Sequence, residues 1–144
     1  MIRIAPEHRQ QISAHAEDAY PAECCGLLAG RVQENGDIHV TRIVPSANVA
    51  AASGNDRFEV DPKVRFDLMR ALAETDESIV GHYHSHPDQA AEPSATDVSM
   101  AFEPDLVWLI VPVPAGTAGS LRAWRLNRDA ASIEALAIDA GEST

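Results

Sequence analysis

Cysteine is nearly absent from this chain of 144 residues: only Cys24 and Cys25 occur, and they are neighbours. Adjacent Cα atoms sit about 3.8 Å apart, short of the usual disulfide span. In a strand their side chains also point to opposite faces. The pair therefore reads as two free thiols in a reducing compartment, and without C-x-x-C spacing it makes no zinc–thiolate site. Aromatic residues are sparse at 5%, so aliphatic side chains and alanine must fill the core. Positive charge is scarce as well: 11 Lys and Arg face 22 Asp and Glu, for a net charge of −11. So acidic a surface argues against non-specific nucleic-acid binding and against docking on anionic membranes, since both rest on cationic patches. It favours a basic partner surface, or serves as a solubility device in a salt-rich cytoplasm. No run approaches the ~18 apolar residues of a membrane helix. The opening MIRIAPEHRQ lacks an apolar signal core, so a cytoplasmic protein is expected.

The length suits one domain with one proper core, expected over residues 1–140 with a frayed tail at 141–144. Ile2 to Ile4 can form a short strand. Pro6 suits the first position of a helix, and Ile12, Ala16 and Ala19 share one helical face; that helix should stop before Pro21. The apolar run CCGLLAG (24–30) reads as a buried strand, Asn35-Gly36 as a hairpin turn, and IHVTRIV (38–44) as the returning strand. Residues 45–58 are a loop by composition, long enough to carry function. Asp61 and Pro62 then supply an N-cap and a first-turn proline for a helix ending near Thr75. Val64, Leu68 and Leu72 line its face, with Met69 a candidate for the same face. Strands are expected at 78–85, 105–113 and 120–127, a short helix from an N-capping Ser94 to Met100, and a small helix within 129–140. Strands interleaved with helices give an α/β protein, a mixed β-sheet flanked by helices.

Three of the six histidines fall at alternate positions in GHYHSHP: His82, His84 and His86. Along a strand, residues i and i+2 share a face about 6.6–6.8 Å apart, so two imidazoles can converge on one ion with Zn–N bonds of about 2.0–2.1 Å. Residues i and i+4 lie about 13 Å apart in a straight strand. Only one neighbouring pair can chelate, and His84 belongs to both choices. His86 sits at the strand end, where Pro87 should break the ladder and sites open to substrate, so His84 with His86 is favoured. A third, oxygen ligand would suit a catalytic zinc. Asp97 stands eleven residues beyond His86. Asp88 is nearer but lies just past the proline, with little chain in which to fold back.

The string His84-Ser85-His86-Pro87 followed by Ser94-Ala95-Thr96-Asp97, with ten residues between His86 and Asp97, resembles the JAMM motif of the MPN+ metalloprotease family. The stretch YPAECCGLLAG (20–30), with its glutamate Glu23, and NDRFEVDP (55–62) resemble the short prokaryotic branch of that family. The resemblance runs from residue 1 to about 126. It implies the MPN fold, a cytidine-deaminase-like sandwich. It implies that His84, His86 and Asp97 are zinc ligands, with one Zn²⁺ per chain. Glu23 matches the general acid/base and Ser94 the hydroxyl that steadies the tetrahedral intermediate, while His82 falls at a variable position with no role. Nothing local separates Glu23 from the other acids; its role comes from the resemblance alone.

The implied activity is hydrolysis of a peptide or isopeptide bond after the C-terminal Gly-Gly of a ubiquitin-like protein, such as removal of an amino acid from a sulfur-carrier protein. Such a tail could dock along a strand edge, with the 45–58 loop as a wall of the cleft. The alternative is a non-catalytic MPN-type scaffold that binds a partner protein. A nucleoside deaminase is disfavoured: His15-Ala16-Glu17 mimics H-x-E, but P-C-x-x-C is missing. The string H-E-x-x-H does not occur. His8, His15 and His39 read as surface or packing residues, and Arg122 and Arg125 as candidate partner contacts.

Overall fold

Both faces of a single mixed sheet carry a helix. A computed structural model of the chain describes residues 1–50, 58–94, 106–127 and 132–139. In chain order these are β1 (Ile2–Arg3), α1 (Pro6–Ala19), β2 (Cys25–Val32), β3 (Ile38–Ser46), α2 (Pro62–Leu72), β4 (Ser78–Pro87), β5 (Val107–Val113), a 3-10 turn (Pro114–Gly116), β6 (Arg122–Asn127), β7 (Ser132–Leu136) and β8 (Ile138–Asp139). The strand order is β7-β6-β5-β4-β2-β3-β1-β8. β4 lies in the middle, antiparallel to β2 and parallel to β5.

Local chemistry accounts for most boundaries. Asp61 caps α2 by accepting from the Lys63 amide at 2.9 Å, and prolines open both helices. The β2–β3 hairpin turns at Gly36, whose φ of 90° suits glycine. The Asn35 side chain accepts from the Asp37 amide at 2.9 Å and braces that turn.

The alternation of β2 sorts the core into two layers. Leu28 joins Ile12 and Ala16 of α1, together with Ile2, Val40, Tyr83, Val107, Leu109 and Val111. Leu27 and Ala29 instead face Leu68 and Leu72 of α2. The helices therefore cover opposite faces of the sheet. Two close approaches fix the central strands. A Cβ at Gly81 would run into the Val107 carbonyl of β5, and one at Gly26 would run into the Tyr83 ring. Tyr83 can lie over β2 only because Gly26 lacks a side chain, and its hydroxyl meets His15 Nδ1 of α1 at 2.7 Å.

Several expectations need correction. Residues within 129–140 expected to be helical include two strands. β7 pairs antiparallel with β6, and β8 pairs parallel with β1, at the two ends of the sheet. Open sheet edges outweigh local helix preference there. Met69 is 56% exposed, because it sits about 100° around the helix from Leu68, which takes the core position. α2 ends at Leu72, and the Thr75 amide bonds back to the Leu72 carbonyl (3.0 Å) beyond the helix end. Pro87 does not interrupt pairing with β5, where it stands opposite Val113. β3 continues to Ser46, two residues beyond the expected end. Residues 95–100 of the helix expected after Ser94, and the frayed tail at 141–144, lie outside the described residues.

Candidate metal centre at the end of the central strand

Strand register explains how distant sequence segments meet. In β4, His82 stands opposite Leu27 of β2 and Trp108 of β5, and His84 opposite Cys25 and Ile110. All three even-numbered histidines therefore share the α2 face, with Tyr83 and Ser85 on the α1 face. Pairing continues one step past the formal start of β2. The Ser85 amide donates to the Cys24 carbonyl (3.2 Å), and the Cys24 amide donates to Ser85 Oγ (2.8 Å). The next step places Glu23 opposite His86, on the histidine face. Sixty residues of separation vanish through register alone.

The result is a buried cluster. Glu23, His84 and His86 are 3%, 0% and 2% exposed, and their potential ligand atoms lie within 4.8 Å of one another. The two Nε2 atoms face each other at 3.2 Å. Two nitrogens bound about 2.0–2.1 Å from one tetrahedral ion would be about 3.3 Å apart, so the pair is already at chelating separation. His86 Nδ1 lies 2.8 Å from the Ala90 carbonyl. A carbonyl only accepts, so Nδ1 carries the hydrogen, and in the neutral ring Nε2 holds the lone pair a metal needs. Two converging imidazoles suit zinc, and the Glu23 carboxylate lies beside them. The competing pair is not set up this way: the His82 and His84 rings stack with centroids 5.6 Å apart.

The surroundings hold the imidazoles in place. Phe58 stacks on His84 at 4.2 Å with planes 13° apart, and His82 leans on Phe58 and Trp108. Beyond β4, the Asp88 carboxylate accepts from the Tyr20 hydroxyl (2.7 Å) and the Ala115 amide (2.8 Å). The Trp124 indole donates to the Ala91 carbonyl (2.9 Å). Those contacts anchor the segment that presents Ala90 to His86. They also show that Asp88 turns away from the histidines, as its position after Pro87 implied. The Asp88 carboxyl is held below its usual range by the Ala115 amide and the Tyr20 hydroxyl.

Neither thiol is set up as a nucleophile. Cys24 and Cys25 are free and buried. Burial pushes their pKa values up to about 11 and about 12, so both stay protonated near neutrality. Ser94 lies half-buried in the segment after β4. Asp97 falls outside the described residues. Arg122 lies over the Trp124 ring at 4.7 Å and within 3.6 Å of Glu92. Sequence reasoning missed Phe58, Asn48 and the Tyr20–Asp88 contact. Phe58 and Asn48 sit in or beside a loop, where no periodicity marks a side chain for the site.

A mixed sheet helix-covered on both faces, with a histidine–carboxylate cluster at the end of its central strand, has the architecture of a JAB/MPN-type α/β domain. A family model described as prokaryotic homologs of the JAB domain matches residues 5–127, and the chain belongs to that family. It is 36% identical over 113 residues to the desampylase of Haloferax volcanii, covering 76% of this chain and 78% of the relative. It is 34% identical over 113 residues to the CysO-cysteine peptidase of Mycobacterium tuberculosis, covering 78% and 74%. Among solved structures, a protein from Desulfitobacterium hafniense superposes with a TM-score of 0.83 at 28% identity, over 96% of this chain and 92% of that one. The named relatives are hydrolases, and the chain is a hydrolase of the JAB type.

Proposed function

We propose that this chain is a zinc-dependent peptidase that hydrolyses the peptide or isopeptide bond after the C-terminal Gly-Gly of a ubiquitin-like protein, such as a sulfur carrier bearing an added amino acid. The observation that carries the reading is the buried cluster of Glu23, His84 and His86, with Nε2 atoms 3.2 Å apart. The relatives named desampylase and CysO-cysteine peptidase support the substrate class.

In this reading His84, His86 and Asp97 hold the ion. Zinc held there supplies a Lewis acid that acidifies a water towards neutrality and polarises the scissile carbonyl. Glu23 takes the proton of the attacking water and delivers it to the departing amine. Its burial strengthens each charge interaction it makes. Ser94 donates a hydrogen bond to the carbonyl oxygen as charge develops there. Phe58 and Trp108 brace His84 and His82 and keep bulk water from that side of the imidazoles. No covalent acyl intermediate is needed, and the protonated thiols stay out of the chemistry. The free cysteines also fit a cytoplasmic setting, which belongs to the same proposal.

The test is zinc per chain together with cleavage of a ubiquitin-fold carrier extended beyond Gly-Gly. Wild type should hold about one zinc per chain and cut. Asp97→Ala should lose both, and Glu23→Gln should keep the metal and lose the cutting. A wild type that binds no zinc after reconstitution would refute the peptidase reading and leave the scaffold alternative.

A further inference from the structure

Glu23 sits where β2 has not yet begun, so a ladder holds it on neither side. Towards β4 it is held through its neighbour, by the Cys24–Ser85 pair of bonds. Towards β3 the last regular partners are Cys25 and Ser46. Continuing that register brings Glu23 opposite Asn48, and there a side chain replaces the ladder. Asn48 Nδ2 donates to the Glu23 carbonyl at 3.0 Å. Its Oδ1 accepts from the Ala50 amide (3.0 Å) and the Glu59 amide (2.9 Å). The orientation of the amide is unambiguous, because one end faces a carbonyl and the other faces two N–H donors. The Asn48 backbone also bridges to Val60. One side chain thus ties the start of β2 to the segment from which Phe58 stacks on His84.

We propose that Asn48 is a positioning residue for Glu23: its amide sets the main chain from which the Glu23 carboxylate reaches the water at the metal centre. This rests on the peptidase reading above. A carboxylate displaced by about 1 Å can cost about 10²-fold in rate, and the Asn48 amide holds the Glu23 carbonyl directly on the β3 side.

Asn48→Asp separates the two halves of the clamp. It keeps an acceptor for Ala50 and Glu59 but sets an oxygen against the Glu23 carbonyl. We expect kcat to fall roughly tenfold to hundredfold, with KM within about twofold and zinc per chain unchanged. In a Glu23→Gln background the same change should cost less than about twofold in single-turnover rate, because the two residues act as one unit. In the zinc-free chain the Cys24 amide should exchange about tenfold faster while the Glu59 amide stays protected. Asn48→Gln, which keeps both functions but shifts them by one methylene, is the second variant should Asn48→Asp melt below the assay temperature; it too should lose kcat and keep zinc. Wild-type kcat in Asn48→Asp, loss of zinc, or an equal cost in the Glu23→Gln background overturns the proposal. A zinc-loaded wild type that cuts no Gly-Gly substrate is a different result: it removes the peptidase reading, and this inference with it.

Discussion

The two faces of β4 are built from one ten-residue stretch yet obey different rules. On the α1 face, Tyr83 and Ser85 are buried and each is paired: the Tyr83 hydroxyl with His15, and Ser85 Oγ with the Cys24 amide. That face is finished, because its polar atoms serve only to hold neighbouring elements. On the α2 face, His84 and His86 are just as buried, but their Nε2 atoms point at each other and at Glu23. Burying three ionisable groups at one point is unfavourable unless a charge or ligand compensates them. The difference teaches that a strand can place a folding surface and a chemical surface 180° apart with no intervening structure.

The strongest way to break the comparison is to truncate one residue on each face. His84→Ala should abolish zinc retention and lower cleavage by about 10³-fold or more, read by metal content and turnover. Tyr83→Phe should leave both at wild-type level. If Tyr83→Phe cost as much activity as His84→Ala, the two faces would not be separable.

Next in size are the glycines that let the strands approach. Gly81→Ala pushes a methyl into the Val107 carbonyl, where a backbone must move; Gly26→Ala pushes one into the Tyr83 ring, which can shift. We expect about 3 kcal/mol or more for Gly81→Ala and about 1–2 kcal/mol for Gly26→Ala in urea unfolding. The reverse order would mean that β4 and β5 separate more easily than the ring moves.

A smaller effect sharpens the α1 face. Tyr83→Phe should cost about 1 kcal/mol for the lost hydrogen bond to His15. Burial lowers the His15 pKa below its usual 6.5, with Asp18 opposing the shift. As pH falls past 6.5, the unfolded chain takes up that proton first, so His15 draws stability away until its folded pKa is passed. Above that range it has no such effect. His15→Gln should flatten this part of the stability–pH curve; an unchanged slope would place the titration elsewhere.

The smallest effect is expected at the thiols, one on each face. With pKa values near 11 and 12, both should resist iodoacetamide at pH 8 in the folded chain. Activity should survive the reagent, and rapid alkylation with loss of cleavage would bring a cysteine into the mechanism.

Legibility in the sequence followed the range of the interactions involved. The alternation of His82, His84 and His86 is local, and so is the place of His86 beside Pro87, which favoured His84 with His86 over His82 with His84. The start of α1 and α2, the Asn35-Gly36 turn and the buried runs of β2 and β5 were equally local. Glu23 was different. Only resemblance to a family marked it, because its value lies in standing opposite His86, and that depends on how β2 registers against β4. The strands of the C-terminal tail were misread for the same reason, since a sheet edge is provided by distant residues.

By itself, then, the sequence determined which residues alternate, where helices are capped, which pair of imidazoles can share an ion and which family the motif resembles. All of these depend on spacings of a few residues, which backbone geometry fixes. Only the tertiary structure decided that Glu23 meets the histidines, that Phe58 stacks on His84, that Asn48 takes over where the β2–β3 ladder stops and that the tail closes the sheet as strands. Those outcomes depend on register between segments separated by tens of residues, and register is set by the packing of the whole sheet.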